Sequence, residues 1–414
     1  VIRRTFRSLR IRNYRLFFIG QLISITGTLM QSVAQSWLVL SMTDSGVALG
    51  ITVALQFLPM LLFGMWGGLL ADRSDKRRLL VAMQVAGGLL ALILWGLVVT
   101  ETVELWMVYV LAFLLGMVTM VDMPTRQSFV IEMVGPEEVP NAVGLNSAMF
   151  NAGRILGPTA AGVTIATLGI APAFLANAIS YIPVVVALSM MRPDELYRRA
   201  PAERRGGEVR AGFLYAWRNP TLRSTLLLVA VLGMFGFNFV VVLPLLARFT
   251  FGGGAGLYSL FTALMSVGSL AGALFSASRT APTRRMLVGS GVAFGALMVA
   301  TAAAPTVWLT CALLVAVGTA MMLFMATANT TLQLGSDPAM RGRVMALYGL
   351  LFAGSTPLGG PMLGWISETF GPRVGVGIGG VLSLAAALAA VGRIRIRRRS
   401  AAPPLETPDA IAAA

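Results

Sequence analysis

Along this chain the polar residues come in short clusters and the apolar residues in long runs. Twelve runs reach the roughly 20 residues that a helix needs to cross a hydrocarbon core. They fall at 15–41, 47–70, 79–100, 105–125, 141–167, 171–191, 223–247, 257–278, 286–304, 306–331, 344–366 and 373–392. Only Pro305 and its neighbours separate the ninth run from the tenth. Inside a bilayer every backbone polar group must be satisfied within the segment, so each run is predicted to be a helix. The first run follows a basic arm but is too long for a cleaved secretory leader, so none is expected.

Positive residues collect in cytoplasmic loops. With the N-terminus inside, 29 of the 32 lysines and arginines fall on the cytoplasmic side. Arg248 and Arg373 fall outside, and Arg154 lies within the fifth run. Both chain ends are therefore expected in the cytoplasm. The net charge of +15 follows topology, and nucleic-acid binding is not expected.

The stretch 192–222 breaks the membrane pattern, with seven arginines, four acids and the pair Gly206-Gly207. Its part from Val209 to Trp217 is amphipathic and suits the inner leaflet surface. Six runs stand on either side. A shift of 202 residues superposes Leu145 on Leu347, Phe150 on Phe352, Gly157 on Gly359, Gly162 on Gly364 and Gly169 on Gly371. The fifth run thus repeats in the eleventh, the weak internal symmetry of transporters built from two halves. The expected organisation is a basic cytoplasmic arm (1–14), a six-helix bundle (15–191), a cytoplasmic linker (192–222), a second six-helix bundle (223–392), and a tail (393–414) that is basic and then disordered. The fold class is all-α integral membrane, twelve transmembrane helices in two pseudo-symmetric bundles.

The loop after the second run reads Gly68-Leu-Leu-Ala71-Asp72-Arg73-Ser-Asp75-Lys76-Arg77-Arg78. An acid at a helix end followed by clustered cations can form a latch at the cytoplasmic face. The fifth run carries Gly144, Gly153, Gly157, Pro158 and Gly162. Small residues four apart let helices approach closely, and the proline can kink the helix. Further stretches are Asp122-Met-Pro124-Thr-Arg126-Gln127, Asn141 to Ser147, Phe150 to Arg154, Trp217 to Pro220, and Arg341-Gly342-Arg343. Together these resemble the major facilitator superfamily, in its enterobactin-exporter-like branch of transmembrane secretion effectors. The resemblance runs from about Phe6 to Arg393. It implies that Asp72, Arg73 and Arg77 hold the outward-facing state, and that the glycines and Pro158 of the fifth run form the antiporter element of exporters. It also implies a siderophore or drug as cargo, without saying which. Asp75 stands where the family loop has glycine. Ala112 stands where drug antiporters often have an arginine four residues before Gly116. Asp122, with Arg126, is placed at the inner gate as a partner for Arg73 or Arg77. It is also the one membrane-proximal acid that could carry a proton.

Polar residues within the runs are candidates for holding cargo. Gln21, Ser24, Thr28, Gln31 and Gln35 share one stripe of the first helix, which must face a central cavity or another helix, because polar groups facing lipid are costly. Arg154 stands near the bilayer midplane. Its guanidinium could hold an anionic group of the cargo, pair with an acid during the cycle, or bond to backbone carbonyls, Asn146 or Asn151. Asn238 and Asn329 are the polar contributions expected from the second half.

Composition removes other chemistries. Charged residues make up 12% of the chain, half of the ~25% of a soluble domain. There is no histidine and one cysteine, so no His-based nucleophilic machinery, common zinc site or intrachain disulfide is available. The only lysine, Lys76, is followed by Arg77 and cannot end a Walker-type phosphate loop. The expected function is secondary active export of a small amphiphile by alternating access, in exchange for protons, across a bacterial inner membrane. A monomer is expected, with no enzyme activity, cofactor or metal. A lipid or lysolipid flippase, an importer on the same fold, or a non-transporting receptor remain alternatives.

Overall fold

The computed structural model describes residues 6–197, 208–278 and 283–400. The start of the basic arm, the middle of the linker and the end of the tail lie outside the described residues. The first six runs form α1 (Arg12–Thr43), α2 (Gly46–Arg73), α3 (Lys76–Val99), α4 (Leu105–Val134), α5 (Val139–Leu168) and α6 (Ala171–Ser189). The linker contributes α7 (Glu208–Arg218). The remaining runs form α8 (Pro220–Thr250), α9 (Ala255–Ala277), α10 (Arg284–Ala303), α11 (Val307–Leu334), α12 (Pro338–Gly354), α13 (Thr356–Phe370) and α14 (Pro372–Ser400).

Among the described residues, ten of these helices are long and apolar enough to cross a membrane. α5 has 30 residues, but Asn146, Ser147, Asn151, Arg154 and six glycines and prolines dilute its hydropathy. The eleventh run, expected as one helix, is two helices of 17 and 15 residues that meet at Ser355. Pro357 explains the break, since it offers no N–H and disfavours helical geometry in the residue before it.

Helix starts follow side-chain caps at the water boundary. Ser45 accepts from Ala48 N–H, Asp75 from Arg78 N–H, Asn219 from Thr221 and Leu222 N–H, Thr283 from Met286 N–H and Thr306 from Leu309 N–H. Asp75, the residue that departs from the family loop, thus opens α3. α8 widens into single π turns at Leu232–Gly236 and Leu246–Thr250. Asn238 causes the first: its Nδ2 donates to Met234 O at 2.7 Å, a carbonyl the continuing helix would use. Linker helix α7 docks on α12 through Tyr215, whose hydroxyl donates to Asp337 Oδ2 at 3.0 Å. It leaves Phe213, Leu214 and Trp217 exposed, as an interfacial helix should.

The glycine repeat reappears as repeated contacts. Gly157 of α5 abuts α1, where an added Cβ would lie 2.7 Å from Leu29 Cβ. Gly359 of α13 abuts α8 in the same way, 2.7 Å from Asn238 Nδ2. Gly162 of α5 meets Ser259 of α9, and Gly364 of α13 meets Gly46 of α2. The last two contacts cross between the parts of the chain before and after the linker, and both lie at the helix ends away from the linker. Gly50 and Gly360 continue the α2–α13 contact. Towards the cytoplasm this seam ends near Gly354, whose added Cβ would lie 2.7 Å from Leu61 Cδ1. Below it Leu62, Met65, Trp66 and Leu69 of α2, and Leu350 and Phe352 of α12, are exposed. The close glycine contacts between the two parts are concentrated on the side away from the linker.

Candidate functional site

Arg154 is the sixteenth of the 30 residues of α5, so it sits at mid-depth. Gly153 and Gly157 dock α5 on α1. The adjoining face carries Val143, Ser147, Phe150 and Arg154, and further out Pro158, Ala161 and Gly162. Its outer part is covered: Pro158 and Ala161 are buried, and Gly162 touches Ser259 of the opposite half. Its cytoplasmic part is bare, with Val143, Ser147 and Phe150 exposed. Further along α5 this face meets the other half. Arg154 stands on it eight residues and about 12 Å from the Gly162 contact.

The guanidinium of Arg154 is half-buried. Among the described residues nothing hydrogen-bonds, ion-pairs or stacks with it. The backbone-carbonyl and asparagine partners open at the sequence level are not made: Asn151 Nδ2 donates to Ser147 O at 2.9 Å, and Asn146 is half-buried beside it. An arginine at a helix centre costs about 2.5–3.5 kcal/mol on insertion scales, and no acid offsets that cost here.

The glutamine stripe requires correction. Gln21 and Gln31 are 2% and 4% exposed and lie between helices of the first half, not in the cavity. Gln31 Oε1 accepts from Asn177 Nδ2 of α6 at 2.7 Å. Ser24 donates to Gln84 of α3 at 3.5 Å. Gln35 is buried as well. The stripe is an interhelical polar seam, because α3 and α6 present matching amides. Asn238, expected to reach cargo, is buried and committed to its own helix. Asn329 is half-buried on α11 and accepts from Gln333 Nε2 at 2.6 Å. Gly144 has nothing within 4 Å of an added Cβ, so it takes no part in helix packing.

At the cytoplasmic end, Asp122 of α4 pairs with Arg126 one turn away rather than with Arg73 or Arg77. Gln84 Nε2 donates to its other oxygen at 2.8 Å. Arg77 instead donates from Nε to Leu188 O at 2.6 Å and from Nη2 to Ser189 O at 2.9 Å, closing the C-terminus of α6. Lys76 pairs with Glu132 at 2.5 Å. Asp72 and Arg73 line a cytoplasmic pocket of about 700 Å³ with Arg77, Arg78 and Glu132. These interactions of Lys76, Arg77, Asp122 and Arg126 stay within the first half, which leaves the cytoplasmic side free to stand open.

The sequence reading missed the outer closure. Arg248 of α8 pairs with Asp44 at 2.5 Å and stacks over Trp37 at 5.8 Å. Asp44 holds a left-handed φ of 51° in the turn between α1 and α2, a conformation aspartate tolerates better than most residues. Beyond the eleventh run, Glu368 Oε2 accepts from Ser45 Oγ at 2.7 Å and from Val47 N–H at 3.0 Å. The Val47 N–H, followed by the Ser45 hydroxyl, holds the Glu368 carboxyl below its ordinary range. A signal was present: Arg248 and Arg373 are the two cations that defy the charge asymmetry. Arg373 donates to Ala304 O at 2.8 Å.

Two helical halves packed on each other through matched glycines have the architecture of the major facilitator fold. Solved structures agree on the fold. A nucleoside transporter, NupG, is 13% identical with a TM-score of 0.73 over 92% of this chain and 99% of its own. A bacterial homologue of the human lysosomal transporter Spinster, in an inward-facing and unoccupied conformation, is 14% identical with a TM-score of 0.70 over 92% and 94%. The chain belongs to the transmembrane secretion effector family, whose description matches residues 3–410. Among curated relatives, the staphyloferrin A transporter of Staphylococcus aureus is 27% identical over 61% of this chain and 64% of its own length. The enterobactin exporter EntS of Citrobacter koseri is 26% identical over 89% and 88%. The multidrug efflux pump Tap of Mycolicibacterium fortuitum is 26% identical over 82% and 85%.

Proposed function

We propose that this chain exports a small amphiphilic molecule, a siderophore or drug, by alternating access in exchange for protons. It does so as a monomer in a bacterial inner membrane, with both ends in the cytoplasm. The observation that supports the reading is the half-buried Arg154 at mid-depth of α5, on the face whose further part packs against the other half; in this reading a cavity beneath the Asp44–Arg248 and Glu368 contacts opens to the cytoplasm with Arg154 at its top. A molecule entering from the cytoplasm reaches Arg154 and goes no further until the Asp44–Arg248 and Glu368 contacts part. Parting of α2 from α13 and of α5 from α9 would bring the cytoplasmic halves together. Asp72, Arg73 and Arg77 would then act as the latch between halves. In this reading Asp122, which accepts from Gln84 and Arg126, is the membrane acid that exchanges a proton. Relatives that carry siderophores and drugs support the cargo class.

The test is the purified chain in liposomes with an imposed pH gradient, offered a panel of siderophores and dyes. Gradient-dependent movement of at least one compound, abolished by collapsing the gradient, is the expected result. Movement that ignores the gradient overturns proton exchange, and none at all overturns export.

One observation favours a second reading, a lipid or lysolipid flippase. An apolar groove of about 440 Å³ lies between α2 and α4, walled by Phe63, Trp66, Leu70, Met117 and Met120, with Arg73 at its cytoplasmic end. Fluorescent lysolipid in the same liposomes separates the two: its translocation without movement of any water-soluble compound would favour the flippase.

A further inference from the structure

Within the membrane-spanning depth the described charges are few. Asp122 and Arg126 pair with each other, and Gln84 occupies the remaining carboxylate oxygen. That leaves Arg154 as an uncompensated positive charge at mid-depth of α5, without a protein partner among the described residues. Its neighbours on the same face are chemically mixed. Phe150 is 44% exposed one turn below, and Asn151 keeps its side-chain oxygen free of the bond it makes to Ser147. The pocket of Arg73, Lys76, Arg77 and Arg78 with Asp72, Asp75 and Glu132 lies wholly within the first half and is of mixed sign, so it does not compete with Arg154 for an anion.

We infer that Arg154 sets the charge class of the cargo: an amphiphile bearing a carboxylate or similar planar oxyanion, with an apolar body against Phe150, and not a cationic drug. This rests on the export reading and narrows it. A guanidinium offers donors in a fixed fork that matches a carboxylate two to two. It keeps its proton at any pH the cell meets, so the site stays cationic throughout the cycle. A cationic compound placed there would meet like charge with no acid to offset it. An anion that reaches this face of α5 finds its counter-ion at Arg154.

The experiment uses the full chain in lipid nanodiscs and two dyes on one xanthene scaffold. One is 5-carboxyfluorescein, an anion; the other is rhodamine 123, a cation. Binding is read by fluorescence anisotropy. The wild type should bind carboxyfluorescein about tenfold or more tightly than rhodamine 123, the least expected of a charge-assisted hydrogen bond. Arg154→Gln should erase that preference. Arg154→Lys, which keeps the charge but loses the fork, should retain part of it. Equal binding of both dyes by the wild type, preference for rhodamine 123, binding of neither, or a preference unchanged in Arg154→Gln each overturns the inference. The wild-type comparison stands even if Arg154→Gln proves unstable. Counterflow in liposomes then separates this inference from the export reading. A wild type that moves rhodamine 123 and ignores carboxyfluorescein keeps export and loses the anion site. One that binds carboxyfluorescein and never moves it keeps the site and loses export.

Discussion

Gly50→Ala should push the protein towards its outward-facing state without disturbing its insertion. A Cβ at Gly50 would lie 2.6 Å from Gly360 O and 2.6 Å from Pro361 Cα, both backbone atoms of α13 that cannot rotate away. Carbon contacts settle at about 3.5–4.0 Å, so α13 must retreat by roughly 1 Å. Overpacking of that kind costs about 1–3 kcal/mol. The contact joins the two halves, so the cost falls on the outer-closed state alone. The gain in helix propensity, about 0.8–1.0 kcal/mol, acts in both states and cancels. A differential of that size shifts the ratio of states by about 5–150-fold. The measurement is the spin-label distance between Met42→Cys and Thr369→Cys, two exposed positions on opposite sides of the outer seam. Cys311 is the single native cysteine and is buried, so its replacement by alanine gives a clean background. Gly144→Ala, with open space around it, is the control. A Gly50→Ala distance distribution indistinguishable from that of Gly144→Ala would refute the argument that close glycine packing holds the outside shut.

The other expectations concern charges. Glu368 is held below its usual range while it accepts from Val47 and Ser45, so its contribution to closure is complete above the value it has when the halves part, and is lost as the pH falls through the lowered one. Acidifying the extracytoplasmic side should therefore lengthen the same spin-label distance, and Glu368→Gln should flatten that dependence; an equal response in the variant would remove Glu368 from the gate. Asp44→Ala should shift the equilibrium by less than about fivefold, because a pair this exposed is worth roughly 0–1 kcal/mol, and a larger shift in the spin-label ratio would mean that the Trp37 stacking is coupled to it. Asp122→Ala leaves Arg126 unpaired and should lower the unfolding free energy by up to about 3–5 kcal/mol, seen as a lower thermal midpoint that Asp122→Ala with Arg126→Leu largely restores. If Asp122 exchanges the proton, Asp122→Asn should abolish gradient-driven transport while counterflow persists, and loss of both together would leave it a structural residue.

What the sequence could reveal follows from how local each feature is. Runs of apolar residues are local, so the helices were legible. The glycine repeat was legible too, because close contact leaves no alternative residue at Gly157, Gly162, Gly359 or Gly364. The stripe from Gln21 to Gln35 shows the limit of periodicity. A spacing of three and four places the amides on one face but does not say whether water or Gln84 and Asn177 lie opposite. The outer closure was illegible for a related reason: Ser45 and Glu368 are 323 residues apart, and each alone reads as a polar loop residue. The break at Ser355 was local and could have been found, since Thr356-Pro357 follows it directly. Arg154 was found by its cost alone, and the structure adds what the sequence could not: the absence of a partner among the described residues, and the face on which it stands.

The two halves share mechanics but not chemistry. Gly157 and Gly359 dock their helices on α1 and α8, and Gly162 and Gly364 carry the contacts that cross between halves. A seam built of matched pairs can open on one side as the other closes with little change in packing within each half. The shift of 202 residues that superposes those glycines carries Arg154 onto Thr356, an uncharged residue at the break between α12 and α13. The charge therefore has no counterpart, and the asymmetry lies at the one depth where both sides of the membrane must be reached. Packing needs the repeat, whereas a second buried cation there would carry the same desolvation cost and repel the first. Under the proposed alternating access, a single off-axis charge would face one side of the membrane in one state and the other side in the next. For that reason Arg154→Gln should leave the rocking measured by the spin labels intact while it abolishes anion binding.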